Sequence, residues 1–167
     1  MFGFAWSEKY GLSGLGSLQG IKEGWWRLLI FGVIIATITY LIFDRYFFNK
    51  GRGYYPHNLF WALSIPLNSF FFKETIRFGM IALSQRLIRN LPLSIFIVSL
   101  FFVSLSLKSF AFIGFRLSWN YLLITGLVLT MIINLILGYI YAKKGLLQSA
   151  FLHVIIDLRF AIFTFIS

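Results

Sequence analysis

The run Leu28–Phe43, LLIFGVIIATITYLIF, contains no charged residue. Wound as an α-helix at about 1.5 Å per residue it is about 24 Å long, slightly short of a hydrocarbon core of about 30 Å. Trp25 and Trp26 before it, and Tyr46 and Phe47 after it, are the residues that extend such a span into the headgroup region. The stretch reads as a membrane-crossing helix with the two tryptophans at one interface. The whole composition argues the same way. Hydrophobic residues make up 59% of the 167 and charged residues 12%, against about 45–50% and about 25% in an ordinary soluble domain. Too little polar surface is left to hold a fold of this size in water. One domain is the expectation at this length.

On the amino-terminal side, residues 1–27 carry Gly3, Gly11, Gly14, Gly16, Gly20 and Gly24. That glycine density disfavours a spanning helix, so the segment reads as an extramembrane or interfacial arm, and residues 28–167 as the bundle. The first apolar centre begins only at Leu28, which is not the layout of a cleaved signal peptide. On the other side, Asp44–Asn58 (DRYFFNKGRGYYPHN) reads as a loop because of Gly51, Gly53 and Pro56, with Tyr54 and Tyr55 at headgroup level. Four further spans pass the same test at about Leu59–Leu83, Leu91–Leu107, Tyr121–Ala142 and Leu146–Ser167. The connections are SQRLIRN, a loop around Lys108–Asn120 unless Phe110–Phe115 extends the span before it, and AKKG. Such short links make consecutive helices antiparallel neighbours. The expected fold class is therefore all-α, a polytopic transmembrane bundle of about five helices.

Charge gives a side. The chain carries fifteen Lys and Arg against five Asp and Glu, a formal +10. In so apolar a sequence this points to membrane topology and anionic lipids rather than nucleic acid, for which no motif is present. Alternating spans place Lys9, Lys22, Arg27, Arg86, Arg89, Lys143 and Lys144 on the amino-terminal face and Arg45, Lys50, Arg52, Lys108 and Arg116 on the other. The excess on the first face favours a cytoplasmic amino terminus, in a plasma membrane. With no Cys, disulfides, thiolate metal sites and Cys nucleophiles are excluded.

Five charges fall within the spans: Lys73, Glu74 and Arg77 on the second, Asp157 and Arg159 on the fifth, with His153 beside them. Each charge near a bilayer centre is disfavoured by about 2.5–3.5 kcal/mol, so five unpaired would approach the stability of a whole domain. They must pair or meet water. Glu74 and Arg77 are spaced i,i+3, Lys73 and Arg77 i,i+4, and His153 and Asp157 i,i+4, so each set shares a helix face. A His and an acid one turn apart, opposed by a Glu, can bind a divalent metal and activate water; they can equally form an interhelical ion-pair cluster. Arg159 lacks an assigned partner and would share Asp157 or reach another chain or a lipid phosphate. Ser104 and Lys108, also i,i+4, suit a lysine reaching the interface better than a Ser-Lys hydrolase.

The segment Leu135–Leu158 (LILGYIYAKKGLLQSAFLHVIIDL) resembles the end of the CPBP intramembrane metalloprotease family, also called the Abi or CAAX-protease family. There a Gly-aromatic helix end, a basic-Gly turn and a helix with His-x-x-x-Asn or His-x-x-x-Asp occur in that order. Lys73–Ser106 resembles the earlier part of the same family in layout, so the likeness covers about residues 59–167. The resemblance implies that Glu74 stands at the second acid of the family's acidic pair, His153 at the final His and Asp157 four residues after it. In an active member these would be the water-activating Glu and the holders of a divalent metal such as zinc. This chain departs from the pattern. The first acid is Lys73, the Arg-Gly order is Arg77-Phe78-Gly79, and the middle His falls at or near Ser106, with Phe102 retained before it. His57, the only other His, lies in a loop on the opposite face.

A lysine beside the Glu ties up its carboxylate and repels a cation. Lys73, Glu74, Arg77 and Asp157 sum to zero charge, as a structural network needs. The expectation is a non-catalytic membrane protein on a degenerate scaffold of this family, without cofactor, acting as an accessory or assembly subunit of a larger membrane complex. Lys73, Glu74, Arg77, His153 and Asp157 would be its intramembrane ion cluster. The alternative is an active metallopeptidase using Glu74, His153 and Asp157; a transport or proton-relay role for the same charges is a third reading.

Overall fold

The computed structural model describes residues 7–45, 56, 58–117 and 120–166. It is about nine-tenths helical, with no strand among the described residues. Helix α1, Leu18–Thr39, continues through one π turn, Tyr40–Asp44. Helix α2, Leu59–Asn68, passes through a second π turn, Ser69–Lys73, directly into α3, Glu74–Ile88. Helices α4 (Leu91–Leu117), α5 (Asn120–Lys144) and α6 (Leu146–Ile166) complete the chain. Because α2, its π turn and α3 form one rod about 45 Å long, the long helices among the described residues make five rods. Helix α6 lies against α1, α2 and α5, while α4 packs on α3 and α5.

Two stretches, Leu18–Asp44 and Leu123–Lys144, are long and apolar enough to cross a membrane by length and composition alone. The α2–α3 rod and α6 carry the charges that the sequence places within spans, and the apolar part of α4 counted by the same test is the shorter Leu91–Ser106. Large apolar side chains are exposed along the rods. Ile30, Val33 and Ile34 on α1, Phe71, Phe72 and Ile76 on the second rod, and Ile124 and Val128 on α5 are all exposed.

Three expectations change. Helix α1 starts ten residues before Leu28, so the arm is shorter than 1–27. Ser17 caps it by accepting the Gly20 N–H at 2.9 Å. The glycines of this segment serve close packing as well as turns. A Cβ on Gly20 would stand 2.8 Å from Gln148 Nε2. Second, α4 continues to Leu117, through the Phe110–Phe115 stretch that the sequence left open as an extension, so the link to α5 is shorter than a loop around Lys108–Asn120. Third, Asp44 does not open a loop; it ends the π turn of α1 and is fully buried. Lys50, Arg52, Tyr54, Tyr55 and His57 lie outside the described residues, as do the side chains of Lys108 and Arg116.

The remaining arm, residues 11–17, is a strap laid over the α5–α6 turn. Ser13 N and Oγ both donate to the Ala142 carbonyl, at 3.3 and 3.1 Å. The Gly14 and Leu15 carbonyls accept from Leu146 N and Leu147 N at 3.0 Å each, satisfying two of the four N–H groups that a helix start leaves without partners. Gln148 Nε2 adds a bond to the Ser17 carbonyl at 3.2 Å. Gly145 turns the chain with φ +99°, and a Cβ there would strike the backbone of Gly16. Only hydrogen-sized side groups let these two segments meet.

The main apolar core sits between α3, α4 and α5. Phe78, Ile81, Ala82, Ile95, Val98, Phe102, Tyr141 and Ala142 form it, closed at one end by Leu12 of the strap. A smaller cluster, Leu137, Leu152 and Ile156, joins α5 and α6. Gly32 lets α1 approach α6, since a Cβ there would lie 2.6 Å from Ile155 Cγ2. These contacts fix α6 in the middle, with its polar face toward α3 and the π turns.

Candidate functional site

On α6 the residues Ser149, His153 and Asp157 recur every four positions, one turn apart, and all three are buried. Glu74 and Arg77 open α3 on the facing side, with 1% and 2% of their surface exposed. The π turn explains how Ser69 joins them. In an α-helix residues i and i+5 diverge, but a π turn closes an i to i+5 hydrogen bond, here from Glu74 N to the Ser69 carbonyl. Ser69 and Glu74 are consequently both buried, and the extra residue leaves Lys73 at the edge.

Glu74 is the centre of the inner half. Its Oε1 meets His153 Nδ1 at 2.6 Å and the Arg77 guanidinium. Its Oε2 accepts the Ser149 hydroxyl at 2.6 Å; the same hydroxyl lies 3.0 Å from the Leu137 carbonyl. Arg77 donates to Asn134 Oδ1 on α5, and its guanidinium lies over the Phe102 ring at 4.7 Å. Asn134 is itself oriented by donating to the Thr130 carbonyl at 2.8 Å. Arg77 Nε is buried without a hydrogen-bond partner among the described residues.

Asp157 is the centre of the outer half. Its Oδ2 accepts the Ser69 hydroxyl at 2.5 Å and lies 3.5 Å from His153 Nε2 and 3.8 Å from Lys73 Nζ. Its Oδ1 accepts from Arg159 at 3.2 Å. Arg159 then reaches α1, donating from Nε to Asp44 Oδ2 at 2.8 Å and from NH1 to the Ile156 carbonyl at 2.8 Å. Arg159 thus shares Asp157, one of the expected arrangements, and adds Asp44, a carboxylate that the loop reading had put out of reach.

The structure brings Lys73, Glu74, Arg77, His153 and Asp157 into one connected set and adds Asp44, Ser69, Asn134, Ser149 and Arg159. Some of the added residues had a signal. Ser149 falls one turn before His153, and Asn134 is a costly amide in an apolar run. Ser69 had none, because its placement depends on the π turn. Ser106, at or near which the resemblance would put a second His, donates to the Phe102 carbonyl at 3.1 Å.

A divalent metal needs lone pairs converging on one point. His153 instead separates the two acids, one ring nitrogen toward Glu74 and the other toward Asp157, while Arg77 and Lys73 bring positive charge to each. As arranged, this donor set does not fit a metal. Nor does Glu74 have a free oxygen for activating water, since Oε1 meets Arg77 and His153 and Oε2 holds Ser149. Compared with family models, curated proteins and solved structures, the chain matches nothing.

Proposed function

We propose that this chain is a non-catalytic integral membrane protein, a five-span bundle built on a degenerate scaffold of the CPBP kind, that serves as a small accessory or assembly subunit of a larger membrane complex. The observation that carries this reading is the engagement of both Glu74 oxygens. A carboxylate held by Arg77, His153 and Ser149 on three sides is a fastener between α3 and α6 rather than a general base. The glutamate-dependent hydrolase alternative needs that carboxylate free and receives no support from the geometry.

The membrane setting is supported by the two apolar stretches and by the exposed Leu, Ile, Phe and Trp that line the rods. Five crossings follow if the charges within the α2–α3 rod and α6 are compensated by one another, as their contacts allow. At the end of the bundle that holds the strap, Lys9, Lys22, Arg27, Arg86, Arg89, Lys143 and Lys144 are exposed. They favour that end facing anionic headgroups, hence a cytoplasmic amino terminus in a plasma membrane.

The test is extraction and mass. The chain should stay with membranes through an alkaline carbonate wash and, in mild detergent, run with other polypeptides at a mass well above one chain of 19.4 kDa plus its detergent. Release by carbonate would end the membrane reading. A clean monomer without companions would end the subunit reading.

A further inference from the structure

Within the buried network one charge is left half open. The Lys73 side chain is 42% exposed, whereas its counter-ion Asp157 is 7% exposed. At 3.8 Å from Asp157 Oδ2 the ammonium is too far for a hydrogen bond, and it makes none among the described residues. Its neighbours on the rod, Phe72 and Ile76, are 64% and 50% exposed. Asp157 faces the ammonium on one side only, and the rest of it is open at an apolar surface.

In the proposed membrane setting the ammonium needs further acceptors, and three sources compete. Lys73 lies near the middle of Leu59–Ile88, so headgroups are about 15 Å away on either side, and a lysine stem of roughly 6 Å falls well short. Lipid phosphates are out of reach. A second copy of this chain is no better. The chain has five acids. Glu8 and Glu23 stand at its amino-terminal end, and the others are engaged, Asp44 by Arg159, Glu74 by Arg77 and His153, Asp157 by Ser69 and Arg159. None is available at this depth. That leaves a different protein.

Gly79 supplies an independent mark on the same helix. A Cβ there would meet nothing within 4 Å. Glycine inside a helix is unfavourable relative to alanine, and the described residues offer no contact that requires it. Close approach of another helix does, as small residues in membrane helices commonly permit.

We propose that the edge of α3 around Lys73, Ile76 and Gly79 seats a membrane-spanning helix of another protein that carries an Asp or Glu carboxylate at mid-depth, which receives the Lys73 ammonium. This rests on the subunit reading and gives the partner its chemistry. To test it, a photoreactive benzoylphenylalanine replaces Ile76 in the full chain, produced in its own cells; intact membranes are irradiated and the cross-linked peptide is sequenced by mass spectrometry. The expected adduct lies on an apolar helix of a different protein, within one turn of an Asp or Glu. Its yield should fall about tenfold with Lys73→Met and stay within about twofold with Lys73→Arg, because both cations serve a carboxylate.

Gly79→Leu, at a position whose Cβ would meet no described atom within 4 Å, should also suppress the adduct, and an unchanged thermal midpoint in detergent separates loss of docking from loss of folding. Adducts to lipid alone, to a second copy or to a helix without an acid overturn the proposal, as does a yield indifferent to both Lys73→Met and Gly79→Leu. If a large complex persists in detergent while these results fail, the subunit reading stands and this contact is wrong. A clean monomer without adducts ends both.

Discussion

The Asp44–Arg159 pair offers the sharpest energetic test of the network. Asp44 is fully buried at the end of α1, and its Oδ2 receives Arg159 Nε at 2.8 Å. Asp44→Asn keeps the shape and removes the charge. Arg159 then keeps Asp157 Oδ1, at 3.2 Å, but that carboxylate already serves Ser69 and Lys73. Breaking a buried pair from one side costs about 3–5 kcal/mol, in line with about 2.5–3.5 kcal/mol for an uncompensated charge in a membrane. At about 2–4 °C per kcal/mol for a chain of this size, the midpoint of thermal unfolding should drop by about 10 °C. Arg159→Met should do similar damage by stranding Asp44. The double variant removes both charges together and should cost well under the sum, with a coupling of at least about 2 kcal/mol. A neutral hydrogen bond between membrane helices averages only about 0.6 kcal/mol, so the two origins separate cleanly. The assay is thermal unfolding in detergent, followed by tryptophan fluorescence and by circular dichroism. Additivity within about 0.5 kcal/mol would refute the claim that this ion pair joins α1 to α6.

Ser149→Ala should destabilise by about 1–3 kcal/mol, because the Glu74 oxygen that accepts its hydroxyl at 2.6 Å is left without a donor; denaturation in detergent against the parent chain reads this directly, and an unchanged midpoint would contradict the assignment. Gly145→Ala combines a φ of +99° with a Cβ that would strike the Gly16 backbone, so it should lift the strap from the α5–α6 turn. Faster amide exchange at Leu146 and Leu147, whose N–H groups donate to the strap, is the expected signature, and unchanged protection there would refute the clamp.

Periodicity exposed the helices because outward-facing and core-facing residues are both apolar here, and a long uncharged run has few alternatives. It was less informative about their ends. Ser17 could have been read as a cap, but the glycines after it weighed toward an arm, and their reason, contact with Gln148, is tertiary. The cluster was legible in outline from i,i+3 and i,i+4 spacing. That rule holds inside α3 and α6, where Glu74 faces Arg77 and His153 faces Asp157. It fails across Ser69–Lys73, since the π turn changes the phase by one residue and no side-chain pattern announces it. Asp44 was missed for a different reason. A charge at the border of an apolar run reads as the end of a span, and only the count of acids against intramembrane cations would have sent it inward to Arg159.

The division of labour within the network follows from which helices each contact joins. Glu74 and Arg77 share α3, so their pair neutralises two charges without fixing any helix relative to another. Asp44–Arg159 joins the end of α1 to α6, Ser69–Asp157 joins the second rod to α6, and Arg77–Asn134 joins α3 to α5. In water, burial of apolar surface would select the packed arrangement. In lipid it does so poorly, because acyl chains and leucines are equally apolar, and register must come from shape and directed bonds. A slip of α6 by one turn, about 5.4 Å, would break Asp44–Arg159, Ser69–Asp157 and Glu74–His153 at once, each leaving charge or a polar donor in an apolar setting. Small residues provide the shape and these bonds the register: Gly32 admits α6 closely to α1, and only near one axial position does Arg159 then meet Asp44. On this argument the carboxylates and the imidazole hold α6 in place.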